Sequence, residues 1–184
     1  YTRLTVLRNQ VADAKQQVAN YKDLKDTTKD TIDAVKVNRT ENDAAAANFM
    51  EAAGTFLQSQ KQQQAAELEE GASVSAIQQR VRKVESMNDV IDLGNEARVA
   101  NFKAQALNDL TYFDNALNYL DQIPPIMSQI REVTVLQKDI IELDSIAQAR
   151  DNYRAAVAQT QNLYNTLFDL NDQRNTAAEG VTQT

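Results

Sequence analysis

The chain has 184 residues, 26 of them acidic and 19 basic, for a net charge of −7, and it contains no histidine, cysteine or tryptophan. These absences exclude a cysteine nucleophile, a disulfide framework, zinc sites built from histidine or cysteine and the commonest general base, and the acidic balance argues against nucleic acid as a partner. Four glycines and two prolines are too few for the turns of a sandwich, a barrel or a doubly wound sheet, so the fold is expected to be all-α, and the protein is expected to be no enzyme and to need no cofactor or metal.

Apolar residues recur every three or four positions from the start. Leu4, Leu7, Val11, Ala14, Val18 and Tyr21, followed by Ile32, Val35, Ala46, Phe49, Ala53 and Phe56, form the seam of a long helix over roughly 1–70. The polar run 38–43 allows a kink or a turn, with Thr40 and Asp43 as a weak capping box, but continuity is the preferred reading. Gly71 suits the left-handed position after a helix and Ser73 the next N-cap. A second helix over 73–122 then carries Val74, Ile77, Val81, Val84, Ile91, Phe102, Tyr112, Ala116, Tyr119 and Ile123, with Gly94 marking a local bend or a close helix contact. Pro124-Pro125 predicts the next reversal, because proline removes backbone donors and constrains the residue before it. A third helix over 126–180 follows, through Ile130, Val133, Leu136, Ile140, Leu143, Ala147, Val157, Tyr164, Leu167 and Leu170. Both connections are short, so neighbouring helices should be antiparallel. Residues 1–184 read as a single elongated helical domain, and no apolar run approaches the length that spans a bilayer.

The seam is interrupted by polar residues. Lys25, Thr28, Arg39 and Asn42 in the first helix, Asn88, Asn95, Arg98, Gln105 and Asp109 in the second, and Arg150 and Gln161 in the third fall at positions that the heptad register turns inward. A buried charge is costly without a partner, so each needs an acid, water or a ligand. Folding the hairpins at about 1.5 Å of rise per residue brings Arg98, Arg150, Asn101, Asn152, Tyr153 and Asn42 toward one layer, with Arg39 about two turns away. Two arginines at one height call for something anionic between them, and the guanidinium fork suits a carboxylate, oriented by the tyrosine hydroxyl and an asparagine amide. The competing reading is structural: Glu96, Asp151, Asp43 and Asp109 are close enough in sequence to neutralise the arginines. Elsewhere, Gln60-Lys61-Gln62-Gln63-Gln64 reads as a solvated helix face and Arg80-Val81-Arg82-Lys83 as an exposed basic cluster.

Segments such as Glu96-Ala97-Arg98-Val99-Ala100-Asn101-Phe102 and Ala149-Arg150-Asp151-Asn152-Tyr153 resemble the extracytoplasmic sensor domains of bacterial methyl-accepting chemotaxis receptors. The spacing of Tyr21, Leu24, Val35 and Arg39, and of Tyr153, Leu167, Leu170 and Arg174, is similar to the helical bimodular class of those domains. The resemblance implies an elongated, two-module four-helix bundle in the periplasm, part of a transmembrane receptor of the inner membrane. It also implies a small organic acid as ligand, a homodimer, and membrane contact only through segments outside this sequence. The family domain is longer, which implies a helix upstream of Tyr1. Parity makes the same demand: three helices leave the termini at opposite ends, whereas a receptor ectodomain returns to its own membrane, so either 38–43 is a turn or an upstream helix completes the bundle. The alternative is a structural coiled-coil or helical-bundle interaction protein with no small-molecule site, its polar seam residues setting register. Catalysis by glutamate or lysine alone is the distant third.

Overall fold

The structure is a computed structural model, and it describes residues 2–182, with side chains to residue 180; Tyr1 lies outside them. Five helices follow in chain order: α1 (Thr2–Glu69), α2 (Val74–Leu107), α3 (Thr111–Asp121), α4 (Ile123–Glu132) and α5 (Gln137–Thr182). There is no strand among the described residues, and the protein is an all-α helical bundle. None of the described helices is long and apolar enough to cross a membrane. The helices distribute into two compact units, one from residues 39–160 and one from the residues before 39 and after 160.

The 39–160 unit is an up-and-down four-helix bundle. Arg39 meets Gln105, Asn42 meets Asn101 and Gln60 meets Arg80, so α2 runs antiparallel to α1. Asn42 meets Thr160 and Gln60 meets Asp139, so α5 is antiparallel to α1 as well. Arg154 with Asp121, and Arg131 with Asp144, set α3 and α4 antiparallel to α5. The core lies between these four passes and holds Phe49, Phe56, Met87, Val90, Phe113, Leu120, Ile123, Leu143, Ile146 and Tyr153. Gly94 is a close helix contact: a Cβ there would run into the ring of Phe49.

Two of the expected helix boundaries are corrected. The second helix does not run to 122. It ends at Leu107, where Asn108 takes a left-handed conformation (φ 52°) and returns its N–H to the Ala104 carbonyl. Asparagine tolerates that conformation because its short polar side chain bonds locally. Asp109 then restarts the chain, accepting hydrogen bonds at Oδ1 from the Thr111 amide (3.0 Å) and hydroxyl (2.6 Å). Conversely, Pro124-Pro125 does not reverse the chain. The prolines occupy the first turn of α4, where a missing N–H costs nothing, and both α3 and α4 run in the same sense against α5. The third helix therefore does not begin at 126: the actual reversal is 133–136, where the Thr134 hydroxyl caps the Ile130 carbonyl at 2.6 Å. The α3–α4 pass supplies an even number of passes to this bundle, so neither a turn at 38–43 nor a further helix is needed for parity. Residues 38–43 stay helical because nothing there breaks a helix; Asn38 and Asn42 face inward. Around Gly71 (φ 71°) and Ser73, whose hydroxyl accepts from the Ala76 amide at 3.2 Å, the expected reversal is found.

The other unit is an antiparallel pair, residues 2–38 of α1 against the end of α5. Arg174 lies over the Tyr21 ring at 6.0 Å and Gln17 lies beside Gly180. Its buried residues are Thr28, Asn38, Tyr164 and Leu170. One line of the α1 seam, Ala14, Tyr21, Thr28 and Val35, is half-buried or buried. The line beside it stays bare, with Leu4 60%, Val11 47%, Val18 56% and Ile32 42% exposed.

Candidate functional site

The predicted layer forms in part. On α1, Asn42 is buried and donates its amide to the Thr160 hydroxyl of α5 (2.9 Å) and to the Asn101 carbonyl of α2 (3.5 Å). One turn away, the Arg39 guanidinium donates to the Gln105 carbonyl at 2.7 Å. Tyr153 is wholly buried with its ring 6.4 Å from that of Phe49. The Tyr153 hydroxyl and the Asn42 side-chain oxygen have no hydrogen-bond partner among the described residues. Burial holds the Tyr153 hydroxyl well above the usual tyrosine range; the nearby Arg98 charge works against that shift and Asp43 with it. Asn42 and Asn101 thus gather with Thr160 in one polar layer, with Arg39 one turn away, while Tyr153 lies about two turns off, beside Phe49.

Arg98, Arg150 and Asn152 do not join them. Ala97, Ala100, Asn101 and Ala104 take the inward face of α2, which turns Arg98 outward by one residue, or about 100°, to lie over its own Phe102 at 5.6 Å. Asn152 is displaced from the inward face by its neighbour Tyr153 and accepts a hydrogen bond from Gln148 at 3.1 Å on the surface. Arg150 turns toward α3, pairing with Asp151 at 2.9 Å and approaching Asp121 at 4.0 Å. Asp121 is also held in a two-pronged contact by Arg154 (2.6 and 2.8 Å), whose hydrogen bonds keep its carboxyl below the ordinary range. Arg98 and Arg150 therefore do not face each other across an anion.

Arg150 instead borders a groove of about 200 Å³ between α4 and α5. Ile123, Met127, Leu143 and Ala147 give it an apolar floor, and Arg131 stands at its edge with Arg150. No carboxylate lines it: Arg131 is paired with Asp144 and Arg150 with Asp151 outside the groove. An apolar floor with two guanidinium groups is suited to a small molecule with a hydrocarbon body and a carboxylate.

A second polar cluster reverses two sequence expectations. Gln60 is wholly buried rather than solvated, and donates to Asp139 at 3.0 Å. Arg80 is not on an exposed face; it is the centre of a network, accepted by Glu67 Oε1 at 2.6 Å and by the Gln60 carbonyl, with Asp139 at 3.9 Å. Its hydrogen bonds hold the Glu67 carboxyl below the usual range against the opposing effect of burial. Lys83 is buried too. Position on the seam carried no warning of this, because Arg80 and Lys83 become interior only where α2 meets the first turn of α5. The signal open to reading was Asp139, an acid in the first turn of α5. Among the described residues, no group of histidine, cysteine, aspartate or glutamate is arranged to hold a metal ion.

No family model matches the chain, and neither a curated protein nor a solved structure matches it.

Proposed function

We propose that this chain is the extracytoplasmic sensing domain of a bacterial transmembrane chemoreceptor, binding a small organic acid and working as a homodimer, with neither catalysis nor nucleic acid involved. The observation that supports the reading best is the α4–α5 groove, in which Arg131 and Arg150 overlook an apolar floor. A carboxylate taken by Arg150 would compete with Asp151 and Asp121 for the same guanidinium, and so change how α5 is tied to α3. That is the differential contact a two-state signal needs, and α5 runs on from Arg150 to Thr182 as one helix able to carry it. The Tyr153 hydroxyl and the Asn42 side-chain oxygen, buried without a partner among the described residues, add two polar groups that a rearrangement of the core could satisfy.

The partner is a second copy of the chain. The bare line Leu4, Val11, Val18 and Ile32 recurs at multiples of seven residues, the repeat by which helices pair. Thirty-seven helical residues extend about 55 Å, and a face about 10 Å wide on this helix of each copy offers about 550 Å² per partner, roughly 1,100 Å² in total, the size of a weak, reversible interface. Two copies of a two-helix unit complete a four-helix bundle.

A thermal-shift screen against mono-, di- and tricarboxylates tests the ligand reading. At a hundredfold excess over the dissociation constant, the stabilisation is about 2.7 kcal/mol, which is readily seen. One acid should raise the melting temperature, Arg150→Ala and Arg131→Ala should abolish the shift, and Arg98→Ala should keep it. No shift with any acid, with dimerisation intact, would favour the second reading, a structural helical-bundle protein. That reading has the bare apolar line in its support.

A further inference from the structure

A second groove, about 380 Å³, lies between α2 and α4. Among its lining residues is Lys83, only 7% exposed, which takes part in no hydrogen bond or ion pair among the described residues. The neighbouring acids are already engaged: Glu67 by Arg80, and Asp139 by Gln60 and Gln63. Burial and the Arg80 charge together hold the Lys83 ammonium below the usual lysine range, with Asp139 and Glu67 opposing them. The Lys83 stem is buried while its ammonium nitrogen is not wholly enclosed and takes no acceptor from the protein among the described residues, so the groove that Lys83 lines offers a direction from which an acceptor can reach it.

The rest of the lining narrows that acceptor. Ser86 follows Lys83 by three residues, on the same face of α2, and offers a hydroxyl. The exposed rim carries Arg82 but also Glu85, Asp89 and Glu132. Three carboxylates against one rim cation repel a simple di- or trianion. They favour a molecule whose carboxylate reaches down to Lys83 and Ser86 while an ammonium remains among the acids at the mouth. From this geometry we infer that the α2–α4 groove is a binding site for a free α-amino acid, separate from the α4–α5 groove.

Calorimetric titration of the whole chain with glycine, L-alanine, L-serine, L-glutamine and L-arginine in turn tests this, with acetate and methylammonium as the two halves of the ligand. At least one amino acid should bind with a dissociation constant below about 1 mM, and each half-ligand at least about tenfold more weakly. Lys83→Met should weaken binding more than about tenfold while keeping the helical circular dichroism and raising or preserving the melting temperature, and the surface variant Glu132→Gln should weaken it by about threefold or more. Arg150→Ala should leave it unchanged, so that failure here and failure of the organic-acid reading are seen separately. The inference is overturned if none of the five amino acids binds, if acetate binds as tightly as they do, or if Lys83→Met binds as well as the parent. Should Lys83→Met not fold, Glu132→Gln decides: unchanged affinity overturns the inference, and weakened affinity supports it.

Discussion

Residues 2–38 and 39–69 belong to the same helix and carry the same kind of apolar repeat, yet they meet different fates. In the four-helix unit, Phe49, Ala53 and Phe56 are wholly buried, because α2 and α5 close on the seam from two sides. In the two-helix unit, Leu4, Val11, Val18 and Ile32 remain largely in water, because one neighbour covers only one of the two lines of the seam. Hydrophobic period selects a helix and a face; the number of neighbours decides whether that face becomes core.

The largest test of this contrast is truncation. Phe49→Ala, measured by chemical denaturation, should cost about 3–5 kcal/mol, since it empties a wholly buried site beneath Tyr153 and beside Gly94. Leu7→Ala, at 58% exposure, should change monomer stability by less than about 0.5 kcal/mol. Equal losses at the two positions would break the comparison. Next in size is Arg80→Met, which leaves the buried Asp139 carboxylate without its cation and should cost about 3 kcal/mol. Adding Asp139→Asn should recover much of that loss, a coupling that a double-mutant cycle reads directly.

The bare line yields the third prediction. Val11→Glu with Val18→Glu should shift a sedimentation profile from dimer to monomer, weakening association by at least about tenfold, with the circular dichroism retained. A dimer that survives these changes would remove the second copy from the seam. The smallest effect at neutral pH is Tyr153→Phe. Its hydroxyl has no partner among the described residues, so removing it should alter stability by less than about 1 kcal/mol at pH 7. At high pH the difference grows. Burial raises the folded-state value, so only the unfolded chain releases this proton as pH climbs past the ordinary tyrosine value near 10. The contribution is therefore complete below pH 10 and is lost above it, at up to about 1.4 kcal/mol per pH unit. Tyr153→Phe should show an alkaline stability loss shallower by that slope.

Part of the candidate layer was legible, and the remainder failed for reasons of register and rotation. Asn42, Asn101 and Arg39 lie close together, as counting residues back through the Gly71 turn expects. The register of α5 came out differently, because Pro124-Pro125 reads as the second turn while the actual reversals, at 108–110 and 133–136, lie at unequal distances from the prolines; Thr160 rather than Tyr153 reaches Asn42. Arg98 and Asn152 were misjudged by a single position, which on a helix is about 100°. Periodicity at three or four residues defines a stripe wide enough to include both the inward residue and its neighbour, and Ala97 and Tyr153, rather than Arg98 and Asn152, took the inward places. The buried Arg80 network and Lys83 were invisible because they depend on which helix end abuts which.

The sequence by itself determined that the protein is helical, where the first turn falls, and which faces are apolar. These follow from local rules: propensity, period, and the left-handed freedom of glycine. The tertiary structure alone decided that Asn108, and not the proline pair, reverses the chain, since a proline in a first helical turn and a proline after a last one read alike until neighbours fix the chain's direction. It alone decided the rotation that sends Arg98 to water and Arg150 to a groove, and the packing that buries the Lys83 stem beside the α2–α4 groove. Each of these depends on which helices lie alongside one another, information that no single helix carries.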